Sequence, residues 1–129
     1  MEHIDGGTLM DRIKNRQISE EFAISVVRQI LETLAYIHSK NILHRDIKPS
    51  NIMFNKQKDL CSGKTVEVVK LIDFGLCCDY SDKSERSLLH DKCGTVGYIA
   101  PEVIGKKSDS ETYNGKADVF SLGIVLYEM

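Results

Sequence analysis

The sequence predicts an α+β fold, mainly helical with short β-hairpins. Three features predict it. Phe22, Val26, Ile30, Leu34 and Ile37 recur at helical spacing. Residues 52–54 (IMF) and the β-branched run 66–72 (VEVVKLI) flank a polar stretch, as hairpin strands do. Residues 119–129 are apolar nearly all round, so they read as a buried helix.

Taken in order, Gly6-Gly7 marks a turn, and Thr8 caps a short helix carrying Leu9, Met10 and Ile13. Ser19 starts the long helix. Glu20 and Glu21 fill its first turn, where the helix dipole favours negative charge. Lys40 lies near its end, and Asn41 suits a C-terminal cap. Ile42-Leu43 forms a short apolar entry to the segment HRDIKPSN at 44–51. Between the two strands, residues 55–65 are polar and include Gly63, which reads as a long hairpin tip. Residues 79–92 lack helical order and read as a mobile loop, and 106–114 as another polar loop. There are no repeats and no low-complexity segments.

The 129 residues suffice for one modest core. With 42% hydrophobic and 28% charged residues, the chain reads as globular. A net charge of −2 offers no basic surplus for nucleic acid. No apolar run approaches the roughly 20 residues of a membrane helix. The acidic start MEHIDGG lacks the apolar core of a signal peptide. Cys61, Cys77, Cys78 and Cys93 show no metal-binding spacing, which fits reduced thiols. Cys77 and Cys78 are adjacent and cannot pair without strain. Cys93, in a loop, is a candidate redox site. These features together indicate an intracellular protein, cytoplasmic with the nucleus as the alternative.

The chemistry concentrates in HRDIKPSN. Asp46 stands between Arg45 and Lys48, followed by the stiffening Pro49 and then Asn51. Asp73 follows the strand at 66–72 and precedes Phe74-Gly75. A carboxylate at a strand end beside a glycine can hold a hard cation, and Asn51 supplies a second oxygen ligand. Asp46 can then accept a hydroxyl proton while Lys48 neutralises charge on a phosphoryl group. A surface ion cluster is the bland alternative.

H-R-D-x-x-x-x-N, Asp73-Phe74-Gly75 and Ala100-Pro101-Glu102 appear in that order, with GTVGY just before the last and Asp118 ahead of the final helix. This set resembles the eukaryotic protein kinases over essentially the whole chain. Lys48, two residues after Asp46, and Gly94-Thr95 resemble the serine/threonine type; tyrosine kinases carry Ala-Ala-Arg or Arg-Ala-Ala after the aspartate. The patterns MEHIDGGTL, KCGTVGYIAPEV and DVFSLGIVLYEM look most like the calcium/calmodulin-dependent and related group.

The resemblance implies a protein-kinase-like large lobe truncated at both ends: hinge 1–7, catalytic loop 44–51, activation segment 73–102 and the start of a buried large-lobe helix at 118–129. It implies ATP and Mg2+ as cofactors, and a protein substrate with a serine or threonine acceptor. No nucleic acid beyond ATP and no membrane segment are implied, and it leaves the oligomeric state open. Asp46 is the implied base, Lys48 faces the phosphoryl group, and the Thr95 hydroxyl bridges the two. Asn51 and Asp73 hold the metal. Glu2 and Ile4 offer backbone groups to adenine, Met53 packs beneath it, and Met1 guards the back of the pocket. His44 and Phe74 stack, Gly75 frees the backbone, and Asp118 holds the catalytic-loop backbone.

Glu128 matches an acidic position used for basic substrates, although Ser50 and Thr8 stand where basophilic relatives carry glutamates. Arg45 implies control by negative charge in the activation segment. Asp91 is either a built-in phosphate substitute facing Arg45 or a solvated loop residue; Ser81, Ser84 and Ser87 are the alternative phosphosites. Glu102, whose arginine partner the sequence does not contain, is expected to be buried and unpaired. The sequence has no glycine-rich phosphate loop, no strand lysine and no paired helix glutamate. The isolated chain is therefore expected to be inactive, and a pseudokinase or scaffold is the alternative to an active parent enzyme.

Overall fold

In the computed structural model, the structure describes residues 4, 6–58, 63–81, 92–105 and 114–129. Helix α1 (Leu9–Lys14) begins at Thr8, whose hydroxyl accepts from the Asp11 N–H while the Asp11 carboxylate accepts from the Thr8 N–H. This reciprocal capping box satisfies two end donors of a helix too short to stand alone. Helix α2 (Glu20–Ser39) is capped by Ser19 and buries Ala23, Val26, Ile30, Leu34 and Ile37. Its exit turns at Asn41, whose φ of 62° lies in the left-handed region that asparagine tolerates.

Strand β1 (Ile42–Leu43) leads into the loop that ends in a 3-10 turn, Pro49–Asn51. Strands β2 (Ile52–Lys58) and β3 (Thr65–Leu71) pair antiparallel, with Ile52 opposite Leu71. The hairpin therefore runs deeper than the sequence suggests. Asn55 to Lys58, expected in the tip, continue the ladder, because backbone pairing carries polar side chains as readily as apolar ones. Strand β4 (Cys78–Asp79) pairs antiparallel with β1, making a second two-stranded sheet. Asp79, expected in a mobile loop, is thus in a strand. The rest of that expected loop lies mostly at 82–91, outside the described residues, as does 106–113 of the other. Among the described residues Cys77, Cys78 and Cys93 form no disulfide; Cys61 lies outside them.

Helix α3 (Pro101–Ile104) starts on a proline, whose missing N–H costs nothing at a first-turn position. Helix α4 (Lys116–Glu128) is not buried all round as expected. It buries Asp118, Ser121, Leu122 and Val125 on one face, while Val119, Phe120, Leu126 and Tyr127 are exposed. One apolar cluster joins Leu9, the buried face of α2, Ile47, Ile52, Phe54, Val69, Leu122 and Val125. A smaller one joins Leu43, Cys78, Ala100 and Val103. Ile47, within HRDIKPSN, is wholly buried in the larger cluster, so this loop is nailed to the core from within its own sequence.

Residues 6–8 extend the sheet. The Gly6 N–H donates to the Phe54 carbonyl at 2.9 Å, the Phe54 N–H donates to the Gly7 carbonyl at 3.1 Å, and Thr8 bridges Met53. The approach is so close that a Cβ on Gly6 would sit 2.2 Å from the Phe54 carbonyl oxygen. Arg12 of α1 locks the same corner. Its guanidinium makes two hydrogen bonds to Glu67 of β3 and lies 3.7 Å from the Phe54 ring centroid. No helix among the described residues is long and apolar enough to cross a membrane.

Candidate active site

The loop after β1 is shaped by a buried carboxylate. Asp118 of α4 is 1% exposed, and its oxygens accept from the His44 N–H at 3.0 Å and the Arg45 N–H at 2.8 Å. His38, near the end of α2, places Nε2 at 2.8 Å from the same carboxylate. These contacts hold Arg45 at φ 67°, a left-handed conformation costing a non-glycine residue about 1–2 kcal/mol. Asp73 adopts a similar φ of 61°. Backbone strain thus appears on both segments that the sequence marks for chemistry.

His44 is fully buried. Its Nε2 lies 3.1 Å from the Ile72 carbonyl, and its Nδ1 accepts from the Asp46 N–H at 3.3 Å. Only the neutral Nε2–H tautomer satisfies both contacts. Burial pushes the imidazole below its ordinary value, against the opposing pull of the Ile72 carbonyl and the carboxylates of Asp118, Asp46 and Asp73. The Phe74 ring meets it edge-on, with centroids 4.8 Å apart.

Asp46 carries a full set of donors. Lys48 Nζ lies 2.7 Å from Oδ2, the Thr95 hydroxyl donates to Oδ1 at 2.6 Å, and Asn51 Nδ2 donates to Oδ2 at 3.0 Å. Lys48 Nζ also donates to the Thr95 hydroxyl at 2.8 Å. Burial alone raises the Asp46 carboxyl, but these hydrogen bonds and the Lys48 charge outweigh it and hold the group below the ordinary carboxylate range. Thr95 reaches the loop because its neighbour is a glycine. Gly94 has φ 117°, and a Cβ there would sit 2.9 Å from the Arg45 carbonyl oxygen.

Asn51 donates from Nδ2 to both the carbonyl and the carboxylate of Asp46, which leaves Oδ1 as its side-chain acceptor. The Asn51 carbonyl accepts from the Ile72 N–H at 2.9 Å, so Asn51 sits beside the residue preceding Asp73. Asp73 itself is exposed, and its Oδ1 accepts from the Gly75 N–H at 3.2 Å. Both side chains offer the oxygen donors that a hard cation takes.

The other sequence-marked residues lie around this cluster. Met53 and Ile4 are half-buried, while Glu2 and Met1 lie outside the described residues. Arg45 Nε donates to the Leu76 carbonyl, which ties the 44–51 loop to the start of the segment after Gly75. Asp91, Ser84 and Ser87 lie outside the described residues. Ser81 is exposed and donates to the Asp79 carboxylate at 2.6 Å. Glu128 accepts from the Tyr98 hydroxyl at 2.7 and 2.9 Å. Burial, with Glu128 adding to it, pushes that phenol up to about 12. Glu102 corrects an expectation: it is exposed in the first turn of α3, so it carries no cost of a buried charge. The contact between His38 and Asp118 was not legible in the sequence, because nothing local to a histidine near a helix end points to a carboxylate eighty residues away.

The profile of the protein kinase domain family matches residues 1–129. CBL-interacting serine/threonine-protein kinase 20 of Arabidopsis thaliana is 41% identical over 98% of this chain and 26% of its own. CBL-interacting serine/threonine-protein kinase 5 of the same plant is 38% identical, and CBL-interacting protein kinase 10 of Oryza sativa subsp. japonica 35%, each over 98% of this chain and 26% of its own. The chain thus spans about a quarter of the length of these curated relatives.

Proposed function

This chain belongs to the protein kinase domain family, and from that premise we propose that the protein carrying it transfers the γ-phosphoryl group of ATP to serine and threonine hydroxyls of protein substrates. The observation that carries the reading is the triangle of Asp46, Lys48 and Thr95, closed by contacts of 2.6 to 2.8 Å. Such a triangle fixes a carboxylate for a substrate hydroxyl and sets a cation beside it, which is what phosphoryl transfer asks of a protein. The proposed segments are the hinge at 1–7, the catalytic loop at 44–51, the activation segment at 73–102 and the helix from 118.

Asp46 stays ionised at neutral pH and is a weak base. It orients the acceptor hydroxyl and takes the proton once transfer makes that proton acidic. Lys48 offsets charge on the transferring group, and Thr95 keeps the lysine and the carboxylate in register. Asn51 Oδ1 and Asp73 suit Mg2+, because both are oxygen donors held at neighbouring backbone positions. When bound, Mg2+ neutralises phosphate charge. Ile4 and Met53 belong to the proposed adenine side, and Glu128 to the substrate side. Two of the relatives are named as serine/threonine-protein kinases, which supports the choice of acceptor.

Asp46→Asn in the full-length protein tests the reading. The variant keeps the fold and loses phosphate incorporation into a serine/threonine peptide by about 10³-fold or more. Undiminished turnover refutes the role of Asp46.

A further inference from the structure

This inference rests on the reading above, in which Met53 belongs to the adenine side, and it names two residues that serve that site from a distance. Met53 stands on β2 opposite Lys70 of β3, so its tilt depends on both strands. The backbone bonds of residues 6–8 engage β2, at Met53 and Phe54. Arg12, one turn into α1, carries the attachment across to β3. Its Nη1 and Nη2 donate to the two Glu67 oxygens at 2.9 and 2.7 Å. The same guanidinium lies 3.7 Å from the Phe54 ring centroid and 5.1 Å from that of Phe22, and the two ring centroids are 5.5 Å apart. We propose that Arg12 and Glu67 are positioning residues for nucleotide binding: the guanidinium, seated on Phe54 and forked onto Glu67, fixes the tilt of the β2–β3 hairpin and with it the place of Met53.

An exposed ion pair would fix little. This one is partly shielded, with the Arg12 side chain 19% exposed, and its two parallel bonds set an orientation as well as a distance. The Arg12 hydrogen bonds hold the Glu67 carboxyl below the ordinary carboxylate range against the smaller effect of burial, and the charge of Lys56, its cross-strand neighbour, adds to the lowering. A lysine at 12 would have neither the fork nor the flat face that stacks on a ring. The link to Met53 follows from the alternation of a strand. Phe54 is 1% exposed and packs in the core, while Met53, one residue back, lies on the opposite face of the sheet. Holding Phe54 and Glu67 from α1 therefore orients the face on which Met53 stands. The triangle of Asp46, Lys48 and Thr95 closes through its own contacts and does not draw on this one.

The test uses the full-length protein. The dissociation constant for ADP with Mg2+ is measured by calorimetry, beside kcat, KM for ATP and the thermal midpoint, for Arg12→Met, Arg12→Lys, Glu67→Gln, the Arg12→Met/Glu67→Gln pair and Asp46→Asn. Arg12→Met weakens ADP binding and raises KM for ATP about 3- to 10-fold, while kcat changes by less than about twofold. Glu67→Gln shifts both in the same direction, and adds nothing in the Arg12→Met background, because the two side chains act through each other. If Arg12→Met folds poorly, Arg12→Lys decides, since it keeps the charge and the stem and loses the fork. Wild-type ADP affinity in Arg12→Met, or in Arg12→Lys where that variant decides, overturns the inference. So do independent, multiplying effects of the two substitutions, or a fall in kcat with nucleotide affinity unmoved. Wild-type protein that fails to bind ADP with Mg2+, or turnover retained by Asp46→Asn, instead overturns the reading on which it rests.

Discussion

Replacing Thr95 with valine removes one hydroxyl and leaves the shape of the side chain. That hydroxyl donates to Asp46 at 2.6 Å and accepts from Lys48 at 2.8 Å. Charge-assisted hydrogen bonds are worth about 1.5–3 kcal/mol each. Lys48 still meets Asp46 directly at 2.7 Å, so the net loss of positioning is that of about one bond rather than two. The expected fall in kcat is therefore about 10- to 100-fold. The change also has a sign in pH. Thr95 is one of the donors that offset the effect of burial and hold the Asp46 carboxyl down, so its removal lets that value rise. The acid limb of kcat then moves to higher pH. The assay is phosphate incorporation into a peptide, followed from about pH 4 to neutrality, with Thr95→Ser as the control that keeps both bonds. A valine variant within about twofold of wild type, with its acid limb unmoved, refutes the argument.

Asp118→Ala strips the acceptor from two loop N–H groups, one on the fully buried His44, and should lower unfolding free energy by about 3–5 kcal/mol in urea titrations with the slope unchanged. Gly6→Ala forces two backbones apart at a 2.2 Å contact and should cost about 1–3 kcal/mol, read in the same titration. His44 is held below its ordinary 6.5, so the unfolded chain binds the extra proton first. Its contribution is complete above about pH 6.5 and is lost as pH falls from there through the lowered folded value. Thermal midpoints of wild type should therefore drop through that window more steeply than those of His44→Phe.

What could be read from the sequence was what is local. Ser19, the acidic first turn and five apolar positions specify α2 without reference to anything else, and α2 forms as written. Thr8 caps α1 through Asp11, three residues away, again a local signal. The pairing of β1 with β4 joins residues 42 and 79, and two two-residue strands carry no periodicity from which to infer it. The continuation of β2 through Asn55–Lys58 was hidden because polar side chains say little about backbone pairing. The exposed side of α4 was illegible for another reason. An apolar residue is marked as buriable by its chemistry, but whether another surface reaches it depends on tertiary arrangement. At the site, the residues of HRDIKPSN pointed to Asp46 and Lys48 together, and the kinase resemblance added Thr95 to them. The geometry adds why they meet: glycine at 94 and a left-handed Arg45 let two distant segments approach to backbone contact.

The stitching of residues 6–8 onto β2 bears on how motion can pass through this region. Gly6 and Gly7 are bonded to Phe54, three residues beyond Asn51, and Arg12 clamps the ring of the same phenylalanine. The chain entering at residue 6 and the loop ending at residue 51 therefore travel together as a single lever arm. The side chains of Asn51 and Met53 thus stand on a backbone braced from its other side, which limits how far either can shift relative to Asp46.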